Sequence, residues 1–205
     1  MTTQSLQSLL PEIALAAALA WGSGIRLYAV LLIAGLAGYA GWVELPAHLA
    51  VLAHPLVLGA SGFMTLVEFG ADKLPWLDSL WDAVHTFIRI PAGAALAAAV
   101  FGATDASVSI SAAILGGTLA AGTHLAKAGG RAAINASPEP FSNWIASFSE
   151  DLLVPSGLWL AVAYPIAFLD MLALFALAAL LVLRAIFSGL AILVRGLQTR
   201  TPGRG

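Results

Sequence analysis

Long apolar runs fill most of this chain, and two polar islands interrupt them: Glu68–Arg89 and His124–Asp151. The two islands hold 11 of the 20 charged residues, the 20 being 9 Lys or Arg plus 11 Asp or Glu. A fold in water leaves much of its surface open. A chain that is 60% hydrophobic and 10% charged, against about 25% charged in ordinary domains, has too little polar surface to cover itself. Its natural solvent is a bilayer. There, an ionisable side chain is tolerated only where it faces another helix, water or a substrate path, so the islands mark where any chemistry must lie.

The 205 residues suit one membrane domain of about five spans (four to six) at about 20 residues each. The expected fold is all-α, a polytopic helical bundle with two amphipathic interfacial helices. A net charge of −2 and the lack of a basic aromatic patch leave no nucleic-acid footprint. The absence of cysteine removes disulfides, thiolate nucleophiles and Cys-based metal sites. No P-loop, G-x-S-x-G or H-E-x-x-H pattern is present, so no cofactor is called and an enzyme is the less favoured class. The N-terminus lacks the basic region of a cleavable signal, and the first span is expected to be retained.

The first apolar stretch, Ile13 to Trp42, is punctured by Gly22-Ser23-Gly24 and Arg26. Either a helical hairpin or short helix, a turn, and a span from Ile25 to Trp42 account for it, or a discontinuous helix whose freed backbone groups line a site. A second span is expected from Leu56 to Phe69. Trp76 to Ile90 reads as an amphipathic helix bounded by Pro75 and Pro91, and Pro91 to Ala103 either continues it as a kinked span or enters the bilayer partway. Thr104–Ser107 is a loop, and a span from Val108 to Ala126 continues as a polar-striped helix toward Asn135. Ser137-Pro138-Glu139-Pro140 is a break, and Phe141 to Leu153 a second amphipathic stretch. Gly157 to Leu183 reads as one span, followed by a basic tail from 184 to 205 with four arginines and no acid. Arg184, Ser188 and Arg195 share a face, as in an interfacial helix, and the basic end is expected to be cytoplasmic.

Within the islands the charges are periodic. Asp78, Asp82, His85 and Arg89 fall on one helical stripe, as do His124, Lys127, Arg131 and Asn135. Glu68 and Asp72 are one turn apart, and Asn143, Ser147 and Glu150 share a side, with Asp151 adjacent. The acidic and basic stripes invite an interhelical salt-bridge network, which is costly to bury unless each member is paired. Three readings stay open: a solvated interfacial face, a network that only sets helix register, and a path for ions or polar solutes. Acids and imidazoles could also bind a divalent ion, but Asp82-x-x-His85 is too short to be a metal motif, and the metal is left unknown. Asp170, alone in mid-span, is expected to face a helix or a wet cavity.

Leu19–Ile25 aligns without gaps on Leu119–Leu125, and Phe69-Gly-Ala-Asp72 before Pro75 parallels Phe148-Ser-Glu-Asp151 before Pro155. This is either a weak internal repeat, with halves at 11–103 and 107–183, or a chance match in Ala/Gly/Leu-rich sequence.

The run Val67–Pro75, with Asp78-Ser79-Leu80-Trp81-Asp82 and Thr86–Ala94, resembles the central signature of the domain-of-unknown-function 4126 (DUF4126) family of small bacterial membrane proteins. Ser23–Tyr28, His124–Ala128, Arg131, Asn135–Asn143 and Glu150-Asp151 extend the resemblance over nearly the whole chain. A neutral polar residue is commoner in the family where Arg26 stands, so Arg26 is not carried over as a site residue. The resemblance implies a membrane location, here the bacterial inner membrane, and supplies no reaction or substrate. The expected function is transport of a small ion or polar solute. The path would be lined by Glu68, Asp72, Asp78, Asp82, His85, Arg89, His124, Lys127, Arg131, Asn135, Asn143, Glu150, Asp151 and Asp170. The alternative is a non-transporting scaffold or accessory subunit. The expected partners are the lipid bilayer and, through helix-packing glycines, a second copy of the chain.

Overall fold

The computed structural model describes residues 3–102, 105–135 and 141–198. Six α-helices carry them: α1 (Thr3–Tyr39), α2 (Pro55–Ala71), α3 (Pro75–Val100), α4 (Ala106–Asn135), α5 (Phe141–Ala163) and α6 (Pro165–Gln198). A short 3-10 helix, Ala47–Ala53, precedes α2. The chain forms two compact units, Met1–Phe168 and Leu169–Gly205. Four helices are long and apolar enough to cross a membrane, or five counting the 3-10 helix and α2 as one span bent by 67°. The protein is an all-helical membrane bundle.

The helix ends follow from local chemistry. Proline opens α2 and α3 because the first-turn N–H has no helical partner to lose. His54 accepts the Leu56 N–H at 3.2 Å through its ring nitrogen, and the Asp105 carboxylate accepts the Ser107 N–H at 2.7 Å at the start of α4. Pro91 lies inside α3, so the amphipathic stretch from Trp76 and the apolar stretch after Pro91 are one helix, the kinked-span alternative. Phe141–Leu153 likewise runs on into α5. The single span expected over 157–183 is instead divided at Tyr164: Pro165 has no N–H to continue α5, and α6 begins on it. The break expected at 137–140 lies outside the described residues, as do the side chains of Ser188 and Arg195 in the tail.

α1 is broken. Arg26 has φ −143° and ψ 80°, outside the helical region. In a continuous helix, residues 22 and 30 stand about 12 Å apart along the axis. Here a Cβ on Gly22 would lie 2.7 Å from Cγ2 of Val30. The two halves therefore form a V with Arg26 at its apex. Both sequence alternatives hold in part: the chain turns between two helices, and the turn frees backbone groups. It falls at Arg26 rather than within Gly22–Gly24.

The register of the first unit follows from close contacts. α4 runs parallel to the first half of α1, with Gly116 near Ala20 and Gly24 near Ala120. α5 runs antiparallel to it, with Gly157 against Trp21 and Gly22 near Val154. α3 is antiparallel to α4 over nearly its full length, Gly93 meeting Ala120 and Asp78 facing Arg131. The second half of α1 pairs antiparallel with α2, Gly35 near Leu58 and Gly62 near Leu32. The apex of α1, the α2–α3 connection and the start of α5 thus share one end of the unit. Exposed Trp76 and Trp144 mark that end, and exposed Trp42, Trp159 and Tyr164 the other, the positions of an aromatic belt at each interface.

α1 is the helix the others wrap: Ala14, Ala18, Leu19, Ala20, Val30 and Ser23 are fully buried. At Gly24 it comes so close to α4 that an added Cβ would strike Thr123 Oγ1 and stand 2.5 Å from the Ala120 carbonyl. A backbone oxygen cannot step aside. Gly24→Ala is expected to cost about 1–3 kcal/mol through overpacking, while Gly122→Ala, where a Cβ meets nothing within 4 Å, should be near neutral. Thermal unfolding in detergent measures both.

Candidate functional site

The two charged islands converge. Arg26, at the apex of α1, places one guanidinium nitrogen 2.8 Å from Asp72 and the other 3.0 Å from Asp151 and 3.8 Å from Glu150. The same terminus donates to the Ser147 carbonyl at 3.2 Å and hydroxyl at 3.1 Å. Arg131 grips Glu150 with two nitrogens at 2.9 and 3.3 Å, a bidentate pair, and donates to the Asn143 carbonyl at 2.9 Å and to its side-chain oxygen. It also stands 3.7 Å from Asp72 and 3.9 Å from Asp78, and Asn135 donates to Asp78 at 2.9 Å. Arg89 pairs with Glu68 and, at 2.8 Å, with Asp82.

Lys127 sits at the crossing of these elements. Its ammonium donates to the Ile25 carbonyl at 3.1 Å and stands 3.2 Å from Glu150, 3.3 Å from Asp72 and 3.6 Å from Asp82. Departure from helical geometry at Arg26 ends the hydrogen-bond ladder of the first half-helix. Ile25 is at its C-terminal end, where carbonyls lack amide partners and carry the negative pole of the dipole. The lysine takes up that carbonyl.

Two histidines border the deep end. His124 Nε2 is 2.7 Å from the Thr86 hydroxyl and its Nδ1 3.2 Å from Arg89. His85 bridges the Trp81 carbonyl at 2.8 Å and the Tyr28 hydroxyl at 3.1 Å, with its ring stacked on Trp81 at 4.1 Å. At the shallow edge, Lys73 lies 3.1 Å from the Phe69 ring centre and 4.6 Å from that of Phe148, close to Asp151 at 3.9 Å.

The network is buried. Glu68, Asp72, Asp78 and Arg89 are fully shielded, and Arg26, Asp82, Lys127 and Arg131 are no more than 8% exposed. Lys73, Asn135, Glu150 and Asp151 are partly exposed. From Asp78 to Arg89, and from His124 to Asn135, the charges extend 11 residues along their helices, a column about 16 Å deep. Beyond it the bundle is closed by Leu19, Ala20, Leu96, Ala97, Val100 and Ala120, all buried. The column thus enters from one end of the unit, and its depth is about half the thickness of a hydrocarbon core of about 30 Å. An apolar groove of about 330 Å³ lined by Ile13, Ala97, Phe101, Val108 and Leu115 lies beyond the column.

Asp72 belongs to the connection between α2 and α3. Burial pushes its carboxyl upward, but Lys127, Arg26 and Arg131 outweigh that and hold it below the ordinary carboxylate range. Burial pushes the neighbouring Lys73 ammonium down, against the pull of Asp151. Among the described residues, no set of three or more His, Asp or Glu side chains converges in the manner of a metal site.

A family model described as a domain of unknown function (DUF4126) matches residues 13–185. The chain belongs to that family. No curated protein and no solved structure matches it.

In this DUF4126 chain, thirteen of the fourteen residues singled out from sequence lie in the network or at its border: Glu68, Asp72, Asp78, Asp82, His85, Arg89, His124, Lys127, Arg131, Asn135, Asn143, Glu150 and Asp151. Asp170 belongs to the second unit, where it is exposed. The first stripe does not face water, as the interfacial reading would require; its charged side is the buried side of α3. Sequence reasoning passed over Arg26, Tyr28, Lys73, Thr86 and Ser147 as site residues. Arg26 carried a usable signal, since an arginine in an otherwise apolar run is itself a marker of a polar interior.

Arg26→Met leaves the fully buried Asp72 and the partly exposed Asp151 each short of a partner. It should destabilise the protein by about 3–5 kcal/mol, the usual cost of breaking a buried pair, read as a lower unfolding midpoint in denaturant. Because the Asp72 carboxyl is held down in the folded state, its stabilisation is present above the ordinary aspartate range and is lost as pH falls through the lowered value. Unfolding followed as pH is lowered should therefore show an acid loss of stability that Asp72→Asn flattens.

Proposed function

We propose that the protein moves a small ion or polar solute across the bacterial inner membrane, with the buried column as its binding path and the C-terminus on the cytoplasmic side. The observation that carries this reading is the joining of a broken membrane helix to a deep set of ionisable side chains. A discontinuous helix exposes backbone carbonyls at membrane depth, and such groups persist there only where they are buried in protein or line a site. Here the freed Ile25 carbonyl, three carboxylates and Lys127 meet at one point. Asp72, Asp82 and Glu68 each keep a buried carboxylate oxygen with no hydrogen-bond partner among the described residues.

The column ends against packed alanine and leucine, so conduction needs a second arrangement in which the apolar half opens. The V of α1 is the natural moving part, because its halves meet at one non-helical residue. The bilayer covers the exposed apolar exterior, including Phe63, Phe87 and Leu115. A pair of chains would use glycines with open faces, such as Gly59 and Gly122.

A second reading, a non-transporting scaffold, is favoured by one specific observation. Arg26, Lys127 and Arg131 each lie near three carboxylates, a degree of cross-linking suited to holding helices in register. Flux into proteoliposomes separates the two. Transport predicts that an Asp72→Asn, Asp82→Asn protein, confirmed to be folded, loses most of the wild-type flux of at least one solute in a panel of inorganic ions and small polar compounds. Equal flux for wild type, variant and empty vesicles across the panel, with a loss of heat stability in the variant, supports the scaffold and removes the transport assignment.

A further inference from the structure

Lys127 is held as a bound ion would be. Its ammonium is surrounded by four oxygens from four separate segments: the Ile25 carbonyl at 3.1 Å, Glu150 at 3.2 Å, Asp72 at 3.3 Å and Asp82 at 3.6 Å. One of the four is a main-chain carbonyl at the C-terminal end of a half-helix, an element that coordinates cations where membrane helices are broken. Carbonyl oxygens there replace the hydration shell an ion gives up. Asp72 is fully buried and Asp82 3% exposed, and each has a second oxygen with no hydrogen-bond partner among the described residues; the oxygens that face the ammonium are shared with Arg26, Arg89 and Arg131.

We propose that this cage is a monovalent-cation site in which the Lys127 ammonium is the resident, tethered cation, and that a free sodium, potassium or ammonium ion competes with it for the same oxygens. The lysine ammonium is a compact point charge on a flexible four-carbon stem, and it stands in for a small monovalent ion. The oxygens stand at 3.1–3.6 Å from the nitrogen. Calcium needs six to eight oxygens, against the four around this nitrogen, so a divalent ion would require the cage to gain ligands. Competition for the same oxygens sets the stoichiometry. A monovalent ion takes the ammonium's place among these oxygens one for one, either because the ammonium swings out of the cage or because it releases its proton to water. In the second case one cation enters for each proton released. This names the class of ion for the transport reading above, but the cage itself rests on geometry and stands without that reading.

Removing the tethered charge exposes the site to test. Lys127→Ala protein, purified in detergent, is compared with wild type by thermal unfolding in sodium, potassium, ammonium and choline chlorides at equal ionic strength. The expected result is a saturable rise of several degrees in the variant midpoint with at least one of the three small cations, none with choline, and a flat response in wild type. Lys127→Met, which keeps most of the apolar stem, should respond in the same way. A variant that folds only when the small cation is present also supports the site, because the cation restores the missing charge. If either variant folds and its midpoint is the same in all four salts, or if neither folds in any of them, the proposal is overturned. Cation binding by Lys127→Ala together with absent wild-type flux would keep the site and remove transport.

Discussion

Charge inside lipid has to be neutralised by charge, and the architecture of the first unit is arranged around that requirement. Four fully or nearly buried acids, Glu68, Asp72, Asp78 and Asp82, face four buried cations, Arg26, Arg89, Lys127 and Arg131. Only α3 contributes to both sets, and it completes neither. The acids come from α2, the α2–α3 connection and α3, and the cations from α1, α3 and α4, so neutrality exists only when those elements are assembled. A buried ion pair is weak evidence for extra stability, since desolvation can consume what attraction returns. It is strong evidence for specificity here, because any misregister of α3 against α4 strands several charges at once.

The break in α1 serves the same end. A straight helix would carry Arg26 through the bundle with its backbone closed on itself. The non-helical residue instead turns the chain, brings the guanidinium between Asp72 and the acids of α5, and hands the Ile25 carbonyl to Lys127. Close approach of α1 to its neighbours depends on residues without side chains at Gly22, Gly24 and Gly157. The small residues and the charges are therefore two halves of one design: the first lets the helices come near, and the second fixes which way they lie.

Much of this was legible in the sequence. Composition gave the solvent, and the three- and four-residue spacing gave the two stripes, because helical periodicity is local. The side on which a stripe faces is not local. A charged stripe opposite Leu77, Leu80 and Trp81 has the same period whether it meets water or another helix, and only the arrival of Lys127 and Arg131 decides. Proline by itself decided neither boundary. Pro91 lies within a continuous helix, whereas Pro165 does begin a new one, and the run around Tyr164 was apolar enough to hide that division. Arg26 was passed over because its role depends on a turn, and the glycines beside it pointed to a break two residues too early.

The central claim is that these charges exist to neutralise one another within the bundle, and the deepest pair tests it most directly. Glu68 and Arg89 are both fully buried and in contact. Glu68→Leu, Arg89→Leu and the double variant, unfolded by denaturant in detergent, complete a double-mutant cycle. The account predicts that each single change is severely destabilising because it strands a buried charge, and that the double variant recovers a large part of the loss. Losses that simply add, with the double variant as unstable as the sum of the singles, would contradict it.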